Sequence, residues 1–136
     1  MVTLVINYLA VLVASIIQII LGALWYSPVL FVKPWLNSIG KSMPTSKPKG
    51  MAMSYIGMIV STLIMNYILA HFIQYAGATD VVGGLLAGFW IWLGFVATTS
   101  LGLVLWEKRS VKWYVITTGY YLIALLISGV ILAVWA

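Results

Sequence analysis

The 136-residue sequence contains no cysteine and only two carboxylates, Asp80 and Glu107. The absence of cysteine excludes disulfide bonds, thiolate metal sites, iron–sulfur clusters and cysteine nucleophiles. Charged residues make up only 7% of the sequence, whereas an ordinary soluble domain has about 25%. Hydrophobic residues make up 64%, and this composition predicts an integral membrane protein.

Fully charged side chains are missing altogether from four long apolar runs, at approximately residues 2–26, 51–75, 81–105 and 114–135. Each run has the length of about 20 apolar residues that crosses a bilayer as an α-helix. The first run is also too long for the apolar region of a cleaved signal peptide. We therefore expect one all-α membrane domain, residues 1–136, folded as a bundle of four transmembrane helices.

Positive charge is confined to two of the connections between these runs. The residues are Lys33, Lys41, Lys47, Lys49, Lys108, Arg109 and Lys112. Because loops rich in Lys and Arg stay on the cytoplasmic side, we expect cytoplasmic basic loops, external termini and a single orientation. The first connection, 31–50, contains Pro34, Pro44 and Pro48 and is predicted to be an exposed or interfacial loop.

Each apolar run has one face of small or polar residues, found by counting 100° per residue around a helix. On the third run this face includes Gly84, Gly88, Thr98 and Gly102. Gly84 and Gly88 have the four-residue spacing that allows two membrane helices to approach closely. The residues predicted to pack helices together are Gly22, Gly57, Ser61, Gly84, Gly88, Thr98 and Gly102.

A second set of residues is polar or aromatic at depths where hydrocarbon is expected. The carboxamides of Gln18 and Asn66 are costly near the midplane unless they find partners. His71 is the embedded side chain whose charge can change near neutral pH. Midplane tryptophans and tyrosines are unusual because these residues normally gather at membrane interfaces. The candidate intramembrane site comprises Asn7, Gln18, Asn66, His71, Trp90, Trp92, Tyr121 and Ser128.

This candidate site has two interpretations, and the residues alone leave both open. The polar side chains can form hydrogen bonds between helices while the aromatic rings fill the core. Alternatively, the same residues line a cavity or a polar path for a small molecule. A variant that replaces Gln18 with leucine is expected to be tolerated in the first case and to lose binding or flux in the second.

Three stretches of the sequence resemble a known family. They are Asn7-Tyr8-Leu9-Ala10, Leu21-Gly22-Ala23-Leu24-Trp25-Tyr26-Ser27-Pro28 and Gly88-Phe89-Trp90-Ile91-Trp92-Leu93-Gly94-Phe95. The chain is similar to the small bacterial membrane proteins grouped as domain of unknown function 1761. This resemblance covers nearly the whole chain and implies a multi-pass protein of the bacterial cytoplasmic (inner) membrane. It assigns no activity and no catalytic residue.

Enzymatic functions are not favoured by the residues present. Asp80 and Glu107 lie in connections on opposite sides of the membrane, so they cannot act as an acid/base pair. One histidine without cysteine falls short of three protein ligands for a metal ion. No glycine-rich phosphate loop is present either. We therefore predict no enzymatic activity, no metal site and no cofactor.

The sequence favours a packed helical protein that acts as an oligomeric or accessory component of the membrane. Its expected partners are membrane lipids and either a second copy of the chain or another membrane protein. Nucleic acid is not expected, because the retention of positive loops at the cytoplasmic side explains the net charge of +5. The alternative is a channel, transporter or binder with an intramembrane cavity for a neutral or anionic small molecule.

Overall fold

The computed structural model describes residues 4–27, 30–40 and 51–135. Within these residues the protein is helical and contains no β-strand. Its elements are α1 (Tyr8–Trp25), α2 (Val32–Ser38), α3 (Met51–Tyr75), α4 (Val81–Ile91), a π-helical segment (Trp92–Ala97), α5 (Thr98–Leu105) and α6 (Val111–Val134). The π-helical segment joins α4 to α5 in one continuous helix, which we call the third span.

Among the described residues, four helices are long and apolar enough to cross a membrane. They are Tyr8–Trp25, Ala52–Tyr75, Val81–Leu105 and Val111–Val134. The prediction of four apolar helical spans is therefore confirmed, and the bounds predicted for the second and third spans match α3 and the third span. The first and fourth helices begin at different residues from those predicted.

Capping residues explain both differences. The first helix begins at Tyr8, because the Asn7 side chain caps it by accepting a hydrogen bond from the Ala10 N–H at 3.1 Å. The fourth helix begins at Val111 rather than at residue 114. Here Ser110 is the cap, and its hydroxyl accepts a hydrogen bond from the Trp113 N–H at 3.0 Å. The position of the polar cap therefore sets where each helix begins. The first helix begins inside its apolar run, and the fourth begins before its apolar run.

The connection 31–50 is not a loop throughout, because Val32–Ser38 forms α2. Pro34 lies in the first turn of α2, where backbone N–H groups have no partner within the helix and proline is tolerated. The Trp35 ring packs edge-on against Tyr26, with 5.4 Å between the ring centroids. The rest of this predicted loop, which includes Lys41, Pro44, Lys47, Pro48 and Lys49, lies outside the described residues.

The closest helix contact in the described residues joins α4 to α6. A Cβ atom added at Gly84 would lie 2.5 Å from the Gly129 carbonyl oxygen, and one at Gly88 would lie 2.5 Å from the Leu125 carbonyl oxygen. Only glycine lets the two backbones approach so closely. The α6 helix also contacts α1, α2 and α3, so it is the element around which the other helices pack.

One half of the molecule is tightly packed. Its apolar core includes residues of α1, α3 and α6, namely Ala10, Val11, Ala14, Leu69, Ala70, Ile73, Leu132 and Ala133. At this end the Asn7 amide donates a hydrogen bond to the Trp135 carbonyl at 3.1 Å, and Gln74 bonds the backbone of Val5. We call this half, with its end at Val5, Asn7, Gln74 and Trp135, the closed half.

The opposite half is less tightly packed on one side. Residues 52–61 of α3 are all exposed, so the first turns of this helix stand apart from the described parts of α1 and α6. We call this half the open half. It lies towards the C-terminal end of α1 and the N-terminal ends of α3 and α6.

Candidate functional site

A cavity of about 860 Å³ lies between α1, α3 and α6 in the open half. The residues that line it include Gln18, Gly22, Tyr26, Tyr55, Met58, Thr62, Met65, Thr117, Tyr120 and Tyr121. None of the lining residues in the part of the chain that the structure describes is charged. Because the lining residues Tyr55, Met58 and Ser61 belong to the exposed stretch of α3, the cavity is open along this flank.

A buried polar cluster, which we call the polar floor, closes the inner end of the cavity. It consists of Ser15, Gln18, Thr62 and Asn66, which are at most 6% exposed. The Asn66 Nδ2 group donates to the Gln18 Oε1 atom at 3.0 Å, to the Thr62 carbonyl at 3.1 Å and to the Ser15 hydroxyl at 3.3 Å. Two amide hydrogens thus serve three acceptors. The bonds to Gln18 and Ser15 join α3 to α1.

Hydrogen-bonding capacity remains unused at this inner end. The Asn66 Oδ1 atom and the Thr117 Oγ1 atom are buried and have no hydrogen-bond partner among the described residues. The Tyr26 phenol lies close to the Thr117 hydroxyl but does not meet hydrogen-bond geometry with it. The Gln18 Nε2 group contacts only the Met65 sulfur, at 3.9 Å, and a thioether is a weak acceptor. Buried polar atoms in proteins are usually paired, so this end is suited to receive a polar group.

Aromatic side chains form the wall of the cavity between α1 and α6. The Tyr120 ring lies between Tyr26 and Tyr121, with centroid distances of 5.7 Å and 5.0 Å. Its hydroxyl donates to the Gln18 backbone carbonyl at 3.3 Å. Gly22 leaves room for this ring, because a Cβ atom there would lie 3.0 Å from the Tyr120 hydroxyl. The wall therefore combines broad apolar faces with phenol groups at their edges.

Three of the predicted intramembrane site residues lie at this cavity. Gln18 and Tyr121 line it, and Asn66 belongs to the polar floor next to Gln18. The remaining residues, Asn7, His71, Trp90, Trp92 and Ser128, are not among its lining residues.

Two of these remaining residues make local contacts in the closed half. Asn7 caps α1 and bonds the Trp135 carbonyl. His71 Nδ1 donates to the Tyr67 carbonyl at 2.8 Å on its own helix, and its ring meets the Tyr67 ring edge-on. These hydrogen bonds account for Asn7 and the His71 Nδ1 group without a ligand.

The other three have different environments. Ser128 is buried within α6. Trp92 is half-buried and donates from its indole Nε1 to the Thr118 carbonyl at 2.8 Å, which links the third span to α6. Trp90 is 62% exposed and points away from the core. The two tryptophans therefore do not frame a common pocket.

The residues predicted to pack helices divide in a similar way. Gly22, Gly84 and Gly88 lie at helix contacts, whereas Gly57 and Ser61 are on the exposed stretch of α3. On the third span, Thr98 is exposed, and nothing lies within 4 Å of a Cβ atom added at Gly102. The π-helical segment explains this, because its wider turns interrupt the regular 100° count between Gly88 and Thr98.

Several cavity residues were not among the predicted site residues. They include Tyr26, Thr62, Thr117 and Tyr120. The spacing of Thr117 and Tyr121, four residues apart on one helical face, is the sequence signal that indicates the α6 wall. Within the described residues, no group of three histidine, aspartate or glutamate side chains is arranged to hold a metal ion.

By their length and composition, the four long apolar helices of the described residues indicate a multi-pass membrane protein. The chain belongs to the family described as Protein of unknown function (DUF1761), whose model matches residues 9–133. Neither a curated protein nor a solved structure matches the chain.

Proposed function

We propose that this chain is a four-helix bundle of the bacterial cytoplasmic membrane that binds an uncharged small molecule in the cavity between α1, α3 and α6. The observation that carries the proposal is the combination of an open, uncharged cavity with unpaired polar atoms at its inner end. Of the functions that the sequence leaves open, this geometry favours a small-molecule binder over a purely structural component. A volume of about 860 Å³ falls within the range of roughly 300–1,000 Å³ of small-molecule sites.

The lining favours a neutral ligand over an anionic one. Among the described residues, no lysine, arginine or histidine lines the cavity. A charged group buried without a counter-charge carries a large desolvation cost. The described lining residues also include no histidine or carboxylate, the side chains that most often act as general acid or base.

The packing of the closed half favours binding over conduction. Beyond the polar floor, small and branched apolar side chains such as Ala14, Ala70 and Ile73 are buried in contact with one another. Because of this packing the cavity is closed at its inner end, as expected for a binding site. A channel requires a continuous path lined by polar groups.

The distribution of positively charged residues favours one side of the membrane for the proposed site. Lys33 and Lys112 lie on the short helix α2 and at the start of α6, towards the open half. If positive connections are cytoplasmic, the cavity lies in the cytoplasmic half of the membrane. This orientation is part of the proposal.

Photolabelling tests the binding proposal. The protein is reconstituted in lipid nanodiscs and irradiated with a dodecanol that carries a diazirine near its mid-chain, and modified peptides are mapped by mass spectrometry. We expect saturable labelling of α3 residues near Met58. An Ala23→Trp variant fills the cavity and should abolish this labelling, whereas Leu86→Trp, on an exposed surface of α4, should not. Labelling that does not saturate, or that persists in the Ala23→Trp variant, would contradict the proposal.

A second candidate function is association with another copy or another membrane protein through the third span. Gly94, Thr98 and Gly102 recur every four residues, and nothing lies within 4 Å of a Cβ atom added at either glycine. Such spacing of small residues is typical of membrane helix contacts. Single-molecule photobleaching in nanodiscs tests this idea. A stable oligomer that Thr98→Leu disrupts would support it, and a monomer at all protein densities would exclude self-association.

A further inference from the structure

The Gln18 carboxamide provides a hydrogen-bond donor at the inner end of the cavity. This side chain is only 3% exposed, yet it lines the cavity. Its Oε1 atom is occupied by the Asn66 amide, but its Nε2 group has only the Met65 sulfur, at 3.9 Å, as a partner. A buried N–H without an oxygen acceptor is unfavourable, so a ligand that supplies one gains free energy there.

The Thr117 hydroxyl provides a second donor on the α6 wall. A threonine in a helix commonly bonds the carbonyl four residues earlier, as Thr118 does with the Tyr114 carbonyl at 2.6 Å. Thr117 does not, and its buried Oγ1 atom remains without a partner in the described structure. The Tyr26 phenol lies close to it, so a ligand oxygen would bind this hydroxyl in competition with that phenol.

We infer that the cavity recognises the uncharged oxygen of an amphiphile, in a hydroxyl or carbonyl group, through one of two neutral donors, Gln18 at its inner end or Thr117 on the α6 wall. The inference rests on the proposed function and adds the chemical class of the ligand. Either donor can bond a lone pair of such an oxygen. An alkane lacks this acceptor, and a carboxylate would bring a charge that none of the described lining residues balances.

The remainder of the cavity is suited to the hydrocarbon part of the same molecule. Met58, Ile59 and Tyr55 follow the exposed flank of α3 away from the polar floor. A molecule dissolved in the bilayer can enter along this flank with its oxygen towards Gln18 and its chain along α3. Entry from the bilayer avoids transfer of the chain through water.

A competition series in the photolabelling assay tests the inference on the unaltered chain. Dodecanol and methyl decyl ketone both carry an oxygen acceptor, whereas dodecane does not. We expect both oxygen compounds to displace the probe at concentrations about tenfold lower than dodecane, as the gain of one or two hydrogen bonds predicts. Equal displacement by dodecane would overturn the inference and leave the proposed cavity intact. Absence of saturable labelling would overturn both.

Threonine variants assign the effect to one hydroxyl. Thr117→Val keeps the shape of the side chain and should remove most of the advantage of the ketone over dodecane, while Thr117→Ser should retain it. Thr118→Val is the matched control, because its hydroxyl bonds the Tyr114 carbonyl and does not line the cavity. Loss of the ketone's advantage in Thr118→Val as well, or its persistence in Thr117→Val, would contradict the role of Thr117.

Discussion

At the residue scale, the polar floor explains how two carboxamides are accommodated within apolar helices. Asn66 is fully buried, and its amide bonds side chains of α1 and the backbone of α3. The hydrogen bond from Asn66 to Gln18 connects α3 to α1, and the two residues are 48 positions apart in the sequence. The same two side chains leave one acceptor and one donor poorly satisfied. The floor thus stabilises the fold and favours polar recognition.

A double-mutant cycle measures the stabilising part of this role. We expect Gln18→Leu and Asn66→Leu each to lower the free energy of unfolding, with a coupling of about 1 kcal/mol between them. The reason is that either substitution removes the same hydrogen bond. Unfolding in detergent, monitored by circular dichroism for the two single variants and the double variant, provides the measurement. Additive effects would show that this bond contributes nothing.

Individual residues were predictable from the sequence to different degrees. Gln18 and Asn66 could be singled out because a carboxamide in an apolar run needs a partner. Trp90 and Trp92 look equivalent in the sequence, yet one is exposed and the other bonds the Thr118 carbonyl. Residues two apart on a helix point in nearly opposite directions, so only one of the two can face α6, and the sequence pattern does not indicate which.

At the element scale, the contact between α4 and α6 depends on glycine. The Gly84 and Gly88 positions touch backbone atoms of α6 directly, and Gly129 on α6 makes the reciprocal approach to the Gly84 carbonyl. Membrane helices gain stability chiefly from such close packing, because lipid removes the hydrophobic drive for association. This contact therefore fixes α6, which in turn presents Thr117, Tyr120 and Tyr121 to the cavity.

Adding one carbon atom tests this contact. Gly88→Ala places a Cβ atom 2.5 Å from the Leu125 carbonyl oxygen, and we expect it to cost about 1–3 kcal/mol of unfolding free energy. Gly57→Ala is the matched control, since nothing lies within 4 Å of the added atom. Thermal unfolding in detergent compares the two variants with the parent. If the Gly88→Ala and Gly57→Ala proteins were equally stable, this result would contradict the close approach of α4 and α6.

Helices were easier to predict than their ends and their spacing. Long apolar runs predict α3 and the third span because the bilayer sets the length of a spanning helix. The start of α1 depends on the cap at Asn7, and α2 forms in a segment whose prolines suggested a loop. The cavity arises because the first turns of α3 stand apart from α1, and a helical periodicity cannot indicate such a separation.

At the scale of the whole molecule, the closed and open halves have different roles. The closed half holds α1, α3 and α6 together through its apolar core and its terminal hydrogen bonds. The open half carries the cavity, with basic residues such as Lys33 and Lys112 on elements at the same side. We propose that this side faces the cytoplasm, as the distribution of positive charge favours.

Cysteine labelling tests this orientation, and the absence of native cysteine makes it simple. We expect Lys112→Cys to react with a membrane-impermeant maleimide only after the cells are opened. Thr79→Cys, in the connection between α3 and α4, should react in intact spheroplasts. Both positions are exposed. The reverse pattern would invert the proposed sidedness, and reaction of both cysteines in intact spheroplasts would indicate dual orientation.

The central claim is that the cavity retains a small molecule, and native mass spectrometry of the protein released from nanodiscs tests it most directly. No probe is added, so any bound molecule comes from the membrane in which the protein was made. We predict a discrete mass increment, one per chain, that is lost in Ala23→Trp and retained in Leu86→Trp. A bare wild-type chain, or an increment equally present in the filled-cavity variant, would contradict the account.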